Sequence, residues 1–369
     1  MKSEMKKAKK LLFVFSECDN SPQLFSIYQK FASEIPFVKV LLILPRGTQL
    51  ERELRMLGVS YKRWSPRTKW MFWVYSIAVS LRLLLNKVDV VLASGQTATY
   101  IAIPAAFITK VPQRIFIRHH ADFHHTPEMK IGFFADSAVN FLSTTIIAVS
   151  ILVRDILVSV ENVSKHKVKL IPNGFNVSSF LKVREKITLE KEQIVIGTVG
   201  RFTHLKGLKH VVEAFVDLAK SYPNIHLIML GAPADETPQI ELALKNLDET
   251  RYDLVQSFTP MPDFYRKIDI LVHIPIGPYR EAFGLVYLEA LASGCLCAFT
   301  RSGVLYGDTS FDNFFELVEF QNSSSLAKIL EKLIGFAQFD LRNPAPASLF
   351  VPYSLEIMAN DYWAVVQNA

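Results

Sequence analysis

Short runs of apolar and β-branched residues recur along the chain, with stretches of helical period between them. Several runs are apolar at every position, which is typical of parallel strands that helices cover on both faces. In the first half the pattern predicts strands at residues 11–17, 38–45, 59–64, 89–95, 114–120, 144–150 and 168–174. In the second half it predicts strands at residues 193–202, 224–231, 254–260, 269–275 and 296–302. Because these strands alternate with helices, we expect the α/β class, with two Rossmann-like, doubly wound domains.

The domain boundaries follow from a polar segment, 176–193, which has no clear period and is the best candidate for a linker. We therefore expect an N-terminal domain over 1–180 and a C-terminal domain over 190–350. Residues 351–369 predict a terminal helix with Ser354 as its N-cap, and we expect it to pack back toward the N-terminal domain. Ligands of such domains are expected at the carboxyl ends of the strands, in a cleft between the domains.

The composition excludes several classes of protein. Hydrophobic residues make up 50% of the 369 residues and charged residues 21%, so the chain is not intrinsically disordered. Three cysteines are too few for a disulfide framework. Cys295 and Cys297 lie two positions apart in an apolar segment at the predicted strand 296–302, where we expect reduced thiols of a protein from a reducing compartment, the cytoplasm.

No apolar run is long enough to predict a transmembrane segment. Residues 11–16 are followed by Glu17, and this run is shorter than the ~7–15 residues of a signal-peptide core. Residues 70–81 form an uninterrupted apolar run, but a transmembrane helix needs ~20 residues. This run predicts either a core helix, which its position before a strand favours, or an interfacial helix at the level of lipid headgroups.

Charge is distributed unevenly along the chain. Residues 1–180 contain 24 Lys and Arg against 12 Asp and Glu, whereas residues 181–369 contain 17 against 23. The basic half is suited to an anionic membrane surface or a phosphorylated acceptor, unless it is simply a solvated basic face. Its basic residues do not alternate with aromatic residues as in a nucleic-acid-binding module, so we expect no nucleic-acid partner.

Residues 283–292 predict a helix that is apolar nearly all round and yet contains Glu289. A buried carboxylate needs a partner, and it can accept hydrogen bonds from two vicinal hydroxyl groups of a polyol; the alternative is a side chain that faces solvent. Gly284 allows a ligand to approach the start of this helix, where the amide groups favour an anion. Glu281 lies just before the helix, within reach of a group bound there.

A second candidate site is the strand, loop and helix of residues 197–215, which carries Arg201 and Lys206 in its loop. Two cations beside a helix N-terminus are suited to a diphosphate, although they could also be ordinary surface charges. The loop has neither the GxGxxG nor the GxxxxGK[ST] pattern, which argues against a dinucleotide dehydrogenase or a P-loop NTPase.

Together, these segments resemble the retaining nucleotide-sugar glycosyltransferases of family 4, which have the GT-B fold. The resemblance rests on a GR…KG segment followed by an E-x7-E segment, and its residues are Gly200, Arg201, Lys206, Gly207, Glu281, Phe283, Gly284 and Glu289. It implies that Arg201 and Lys206 hold the donor diphosphate and that Glu289 binds the nucleotide ribose. It further implies a donor-sugar site that includes Glu281 and the residues at the helix start, Phe283, Gly284 and Leu285.

The sequence departs from the family pattern in two loops. The loop 16–24 has none of the glycines that many members have after the first strand, which concerns contacts with the acceptor. Residues 301–310 lack the glutamate of the GG-x-x-E turn that many members have at this point.

Four histidines fall within residues 118–125, after a predicted strand. With no cysteine nearby and no second pair of ligands, a zinc site is not favoured. The resemblance implies that a histidine at this point faces the donor sugar; His119 fits best and His120 is the alternate. An exposed polar strand end is the other interpretation. No Asp-x-Asp sequence occurs, so we expect no metal on the diphosphate and no cofactor.

The sequence therefore predicts a metal-independent, retaining transferase that moves a hexose-type sugar from a nucleotide diphosphate-sugar to a glycan or lipid-linked acceptor. We expect it to act in surface polysaccharide synthesis, in the cytoplasm or on the inner face of the cytoplasmic membrane. The alternatives are a non-catalytic scaffold that binds a nucleotide-sugar, and an epimerase or phosphorylase with the same fold.

Overall fold

The computed structural model describes residues 9–16, 22–35, 37–43, 49–56, 58–64, 71–121, 130–181, 193–245, 247–258, 260–339 and 343–368. The chain forms two compact units. The first contains Met1–Phe175 and Leu355–Ala369, and the second contains Asn176–Ser354. The C-terminal residues therefore belong to the first unit.

The first unit has a seven-stranded parallel sheet with strand order β3-β2-β1-β4-β5-β6-β7. Its strands are β1 (Lys10–Ser16), β2 (Phe37–Ile43), β3 (Tyr61–Trp64), β4 (Val90–Ser94), β5 (Gln113–Arg118), β6 (Thr145–Ala148) and β7 (Val168–Leu170). Its helices are α1 (Pro22–Glu34), α2 (Gln49–Met56), α3 (Met71–Asn86), α4 (Gln96–Ile108), α5 (Lys130–Leu142) and α6 (Ile151–Asp155). A π-helical turn, Ile156–Val160, follows α6. All seven strands expected from the apolar runs are present.

The second unit has a six-stranded parallel sheet with strand order β10-β9-β8-β11-β12-β13. Its strands are β8 (Ile194–Val199), β9 (Ile225–Leu230), β10 (Tyr252–Val255), β11 (Ile270–His273), β12 (Leu296–Phe299) and β13 (Glu316–Leu317). Its helices are α7 (Val177–Phe180), α8 (Leu208–Leu218), α9 (Thr237–Leu244), α10 (Met261–Lys267), α11 (Leu285–Ala292) and α12 (Ser323–Gln338). Of the predicted linker 176–193, α7 lies in this unit, and residues 182–192 lie outside the described residues.

The terminal helix α13 (Leu355–Asn368) packs against α1 in the first unit. The rings of Phe31 and Trp363 are 6.0 Å apart between their centroids, and the Ser26 hydroxyl donates a hydrogen bond to the carbonyl of Leu355 at 3.1 Å. The C-terminal helix α13 is therefore part of the first unit, although the chain forms it only after the second unit is complete.

Both sheets have a topological switch point, where strand order reverses direction. It falls between β1 and β4 in the first sheet and between β8 and β11 in the second. Ligands of open α/β sheets bind beyond the carboxyl ends of the strands at this point, because the loops on either side diverge there. The carboxyl ends of β8 and β11 are therefore the first place to look for a site in the second unit.

Burial confirms several expectations for the core. The apolar face predicted for α8 is buried: Leu208, Val211, Val212, Phe215 and Leu218. Cys295 and Cys297 are buried free thiols. Across the described ranges, no helix has both the length and the hydropathy to cross a bilayer.

The interpretation of residues 70–81 as a core helix is only half right. These residues, from Met71 onward, belong to α3, where Val79 and Leu83 are buried. The opposite side of α3 nevertheless exposes a row of large apolar residues. A helix that is apolar nearly all round gives no sequence signal for which side is covered, so its exposed side could not be assigned from the period alone.

Candidate active site

The loop between β8 and α8 is held against the end of β11 by a glycine. Gly207 has φ 68°, in the left-handed region, and a Cβ atom there would lie 2.2 Å from the carbonyl oxygen of Ile274. Glycine is therefore required both for the turn and for the close approach of two backbones. This contact explains the Lys-Gly pair of the motif, because it brings Lys206 to the carboxyl end of β11.

Lys206, Glu281 and His273 form one ionic cluster at this end of the sheet. The Nζ atom of Lys206 donates to Oε2 of Glu281 at 2.6 Å, and Nε2 of His273 lies 3.0 Å from the same oxygen. The His273 side chain is only 2% exposed and that of Glu281 14% exposed. The structure thus brings together two of the residues predicted from sequence and adds His273, which sequence analysis missed.

The cluster keeps Glu281 ionised. Burial alone would raise the pKa of this carboxyl, but the hydrogen bond from His273 and the positive charge of Lys206 outweigh it and lower the pKa to about 2. Burial lowers the pKa of His273, which favours a neutral ring. Because the ionised carboxylate of Glu281 can only accept, Nε2 of His273 is the donor of this hydrogen bond.

Both contacts use Oε2 of Glu281 and leave Oε1 available. Within the described ranges no other group donates a hydrogen bond to this carboxylate, and Oε1 is not a fully buried atom. One oxygen is thus fixed in place while the other can accept a hydrogen bond from a ligand. A fixed, ionised acceptor of this kind suits a sugar hydroxyl group.

The start of α11 lies beside this carboxylate. Gly284 has φ 75°, and a Cβ atom there would lie 2.6 Å from the ring of Tyr287 and 2.9 Å from Cγ of Glu281. No side chain caps the helix. Phe283 is buried, and its carbonyl accepts a hydrogen bond from the amide of Val304 at 2.6 Å. The first amide groups of α11, at Leu285 and Val286, have no side-chain cap, and with the positive end of the helix dipole they form a place suited to an anion.

Glu289 has a partner that the sequence did not reveal. The hydroxyl of the fully buried Tyr265 donates to Oε2 of Glu289 at 2.8 Å. Glu289 is half-buried, so it faces neither a closed core nor open solvent. Burial raises the pKa of its carboxyl to about 7, although the hydrogen bond from Tyr265 opposes the shift.

This raised pKa predicts a pH-dependent stability. The folded state binds the Glu289 proton more tightly than the unfolded state, so the stabilisation is complete below about pH 4.5 and is lost as pH rises through about 7. Relative to Glu289→Gln, the ligand-free protein should lose at most about 3 kcal/mol of unfolding free energy between pH 5 and pH 8. Denaturant unfolding of both proteins at each pH measures this difference.

The matched control is Glu331→Gln, which alters a second Tyr–Glu hydrogen bond, at 3.0 Å from Tyr222, on the exposed surface. This variant should keep the pH dependence of the parent protein. Parallel curves for the parent protein and Glu289→Gln would contradict the assignment of the raised pKa to Glu289.

Arg201 is not part of the ionic cluster. Its side chain is exposed at the end of β8, beside Gly200, and it has no ion-pair partner within the described ranges. Lys206, in contrast, is committed to Glu281. Both cations were predicted to hold a diphosphate. Arg201 could do so without breaking an existing contact, because its guanidinium has no ion-pair partner among the described residues.

His119 and His120 follow β5 in the first unit. His119 is solvent-accessible, and its Nε2 atom lies 3.1 Å from the hydroxyl of Ser94, at the end of β4. His120 instead turns toward Asp136, with 3.7 Å between Nε2 and Oδ1. His119 is thus the more accessible of the two.

A buried ion network supports this histidine loop. The guanidinium of Arg118 contacts Glu161 at 2.5 Å and Asp136 at 3.2 Å, and all three side chains are nearly inaccessible. The Nε atom of Arg118 also donates to the carbonyl of His120 at 3.2 Å. Glu161 follows directly on the π-helical turn, a feature that is frequent near functional sites. The network therefore fixes the backbone from which His119 projects.

The two loops that depart from the family pattern differ in how much of each the structure describes. Residues 17–21 of the loop 16–24 lie outside the described residues. Within 301–310, Gly303–Leu305 forms a 3-10 turn beside Phe283. Where the structure is described, no group of three His, Cys, Asp or Glu side chains is placed to hold a metal ion, and His124 and His125 lie outside this part.

Solved structures with the same architecture define the fold. A structure of Anabaena HepE in complex with UDP and glucose matches with a TM-score of 0.77 and 16% identity, covering 98% of this chain and all of that chain. Sucrose-phosphate synthase from Thermosynechococcus elongatus matches with a TM-score of 0.70 and 16% identity, covering 97% of this chain and 98% of that chain. The two parallel-sheet units thus form the GT-B fold.

Sequence comparison identifies the family. A model described as glycosyltransferase family 4 matches residues 38–179, and a model described as glycosyl transferases group 1 matches residues 179–335. The two matches adjoin and together span both units, so the chain belongs to the family-4 type of glycosyltransferases.

One curated relative is the capsular polysaccharide biosynthesis glycosyltransferase CapM of Staphylococcus aureus. It is 25% identical over 256 residues, which cover 63% of this chain and 63% of CapM. The first curated relatives are matched over between 33% and 63% of their own length.

Proposed function

We propose that this protein is a retaining glycosyltransferase that needs no metal ion or cofactor. It moves a hexosyl or N-acetylhexosaminyl group from a nucleotide diphosphate-sugar to a glycan or lipid-linked acceptor, in the synthesis of a surface polysaccharide. The observation that carries the proposal is the Glu281 carboxylate, which Lys206 and His273 hold by one oxygen while the other stays available.

The donor is proposed to bind at the carboxyl ends of β8 and β11. Arg201 and the uncapped start of α11 attract the diphosphate, since an exposed guanidinium and free helix amides both favour a dianion. Oε1 of Glu281 accepts a hydroxyl of the sugar, and Glu289 accepts the ribose hydroxyls. His119, the accessible histidine of the first unit, is proposed to contact the transferred sugar, with His120 as the alternate.

The proposed reaction needs no covalent enzyme intermediate. The bond from the anomeric carbon to the β-phosphate oxygen breaks, and the acceptor oxygen forms its bond to that carbon on the same face. The acceptor proton passes to the departing phosphate oxygen, so the products are the glycoside and the protonated nucleoside diphosphate. Arg201, the helix amides and the N–H donors of Lys206 that do not contact Glu281 stabilise the charge that develops on the leaving group.

The names of the relatives support the substrate class. CapM acts in capsular polysaccharide biosynthesis, and the HepE structure holds UDP and glucose. A relative from Salmonella typhimurium, 25% identical over 56% of this chain and 58% of its own length, is a lipopolysaccharide 1,2-N-acetylglucosaminetransferase. By analogy with these relatives, we propose that the donor is a UDP-hexose or UDP-N-acetylhexosamine. The acceptor is proposed to be a polysaccharide precursor at the cytoplasmic face of a membrane.

A thermal-shift panel of UDP-, GDP-, ADP- and CMP-sugars in the presence of EDTA tests the donor site. A ligand at a hundred times its dissociation constant stabilises a protein by ~2.7 kcal/mol, a readily measured shift. One nucleotide family should stabilise the protein, and Arg201→Ala and Glu289→Ala should abolish the effect. Lys209→Ala, an exposed cation on α8, should leave the shift unchanged.

Product analysis tests the reaction. With a glycan acceptor, free nucleoside diphosphate and an α-configured product from an α-configured donor are expected, and an inverted product would contradict retention. Donor binding without acceptor-dependent release of nucleoside diphosphate would instead support the scaffold, and a changed sugar configuration on the intact donor would support an epimerase.

A further inference from the structure

Three helices of the first unit form one side of its sheet. Helix α3 packs against α4, and α4 packs against α5. The helices lead into the neighbouring parallel strands β4, β5 and β6. Their C-terminal ends therefore lie at the same edge of the sheet, where the strands begin and away from the strand ends that carry His119.

These helices expose an unusual number of large apolar side chains. Leu85 is 83% exposed, Phe141 77% and Ile108 72%, and each lies in the last turn of its helix. On α3 the exposed residues recur at helical spacing and form a continuous stripe along one side. The lateral apolar face, as we call it, consists of Val74, Ile77, Leu81, Leu84, Leu85, Phe107, Ile108, Phe134 and Phe141.

Among the described side chains of these three helices, the accessible charge is basic. Arg82 on α3 is partly exposed, and the single acid of the three helices, Asp136, is buried against Arg118. Lys87 and Lys110 are exposed just beyond the ends of α3 and α4. As far as these helices are described, no acid on them is exposed, and the lysines at their ends give this apolar face a cationic edge.

Two further cations are held at the same edge by helix carbonyls. Arg114 lies 5.5 Å from the ring centroid of Phe107 and donates to the carbonyl of Leu142. Lys167 lies 5.9 Å from the ring centroid of Phe141 and donates to the carbonyl of that residue. Surfaces that lie at the boundary between lipid headgroups and acyl chains also combine cations with exposed aromatic rings.

We infer that the lateral apolar face docks this protein onto an anionic lipid bilayer. Apolar side chains gain from burial among the acyl chains, and the cationic edge gains from the anionic headgroups, each Lys or Arg by about fivefold in affinity. A second copy of the chain fits less well, because pairing the face with itself would oppose two cationic edges. The inference concerns where the protein lies and does not depend on the proposed transfer reaction.

Co-sedimentation with vesicles tests the inference, with the 369-residue chain and without any donor. The protein should bind mixed vesicles of phosphatidylglycerol and phosphatidylcholine at low salt. It should bind much more weakly to vesicles of phosphatidylcholine alone, and also to the mixed vesicles in about 0.5 M salt. The double variant Leu81→Glu/Leu85→Glu should bind at least about tenfold more weakly, because two carboxylates would have to enter the interface. Both sites are exposed, so the fold should tolerate the change.

The matched control is Leu242→Glu/Phe339→Glu, which places two acids at exposed apolar sites of the second unit. It should bind vesicles like the parent protein, and both doubles should keep the nucleotide-induced thermal shift of the parent. Failure of the parent protein to bind anionic vesicles, or an equal loss in the control, would overturn the inference. A parent dimer that Leu81→Glu/Leu85→Glu converts to a monomer in size-exclusion chromatography would overturn it in favour of a second copy.

Discussion

Replacing Glu281 with glutamine is expected to lower the turnover rate about 10²–10³-fold at saturating donor, the usual cost of losing one preorganised electrostatic contact. The substitution preserves size and an acceptor oxygen but removes the charge that Lys206 and His273 hold in place. Because the proposed contact acts on the sugar and not on the nucleotide, the affinity for free nucleoside diphosphate should change little. Release of nucleoside diphosphate measures the rate, and a nucleotide thermal shift measures the affinity.

The control for this variant is Glu213→Gln on α8, which removes an exposed carboxylate with a long, 3.7 Å ion pair to Lys209. It should retain the parent rate. If Glu281→Gln also kept more than half of the parent rate, the carboxylate would be a partner for Lys206 only, and the proposed contact with the sugar would be wrong.

His273 allows the same site to be tested through its pH dependence. The hydrogen bond from His273 is the largest of the interactions that lower the pKa of Glu281. In His273→Phe this pKa should rise, so the acid limb of the turnover–pH profile should begin at a higher pH than in the parent enzyme, whose Glu281 stays ionised down to about pH 2. A purely structural role for His273 would lower the rate equally at every pH, which distinguishes the two explanations.

The fold was predictable because parallel strands covered on both faces are continuous apolar runs. Every predicted strand is present, and the one that was missed, Glu316–Leu317, is too short to form a pattern. The side of α3 that faces solvent was not predictable, since its outer residues are as apolar as its buried ones. Periodicity identifies a covered face only when the other face is polar.

The candidate site was predictable in its residues but not in its contacts. The motif identified Lys206 and Glu281, yet 75 positions separate them, and their contact depends on how closely Gly207 approaches Ile274. His273 carried no signal, because a single histidine in an apolar strand is as typical of a core residue as of a functional one. The partner of Glu289, Tyr265, lies in a helix whose sequence shows no link to α11.

The buried ion network of Arg118, Asp136 and Glu161 should contribute strongly to the stability of the first unit. Arg118 is 2% exposed and pairs with Glu161 and Asp136, so Arg118→Met would leave two buried carboxylates without their guanidinium. Removing one partner of a buried ion pair costs about 3–5 kcal/mol. We expect a melting temperature lower by roughly 10 °C, together with a loss of activity, because the carbonyl of His120 would lose its donor.

An exposed ion pair in the same unit provides the comparison. Arg154 and Asp155 are 2.8 Å apart with both side chains about 40% exposed, and Arg154→Met should cost less than about 1 kcal/mol, because water already solvates both charges. Adding Glu161→Gln to Arg118→Met should restore part of the stability, since it removes one of the uncompensated charges. If Arg118→Met were no less stable than Arg154→Met, burial of this network would not be what holds His119 in place. The loop after β5 would then have to be positioned by its own backbone.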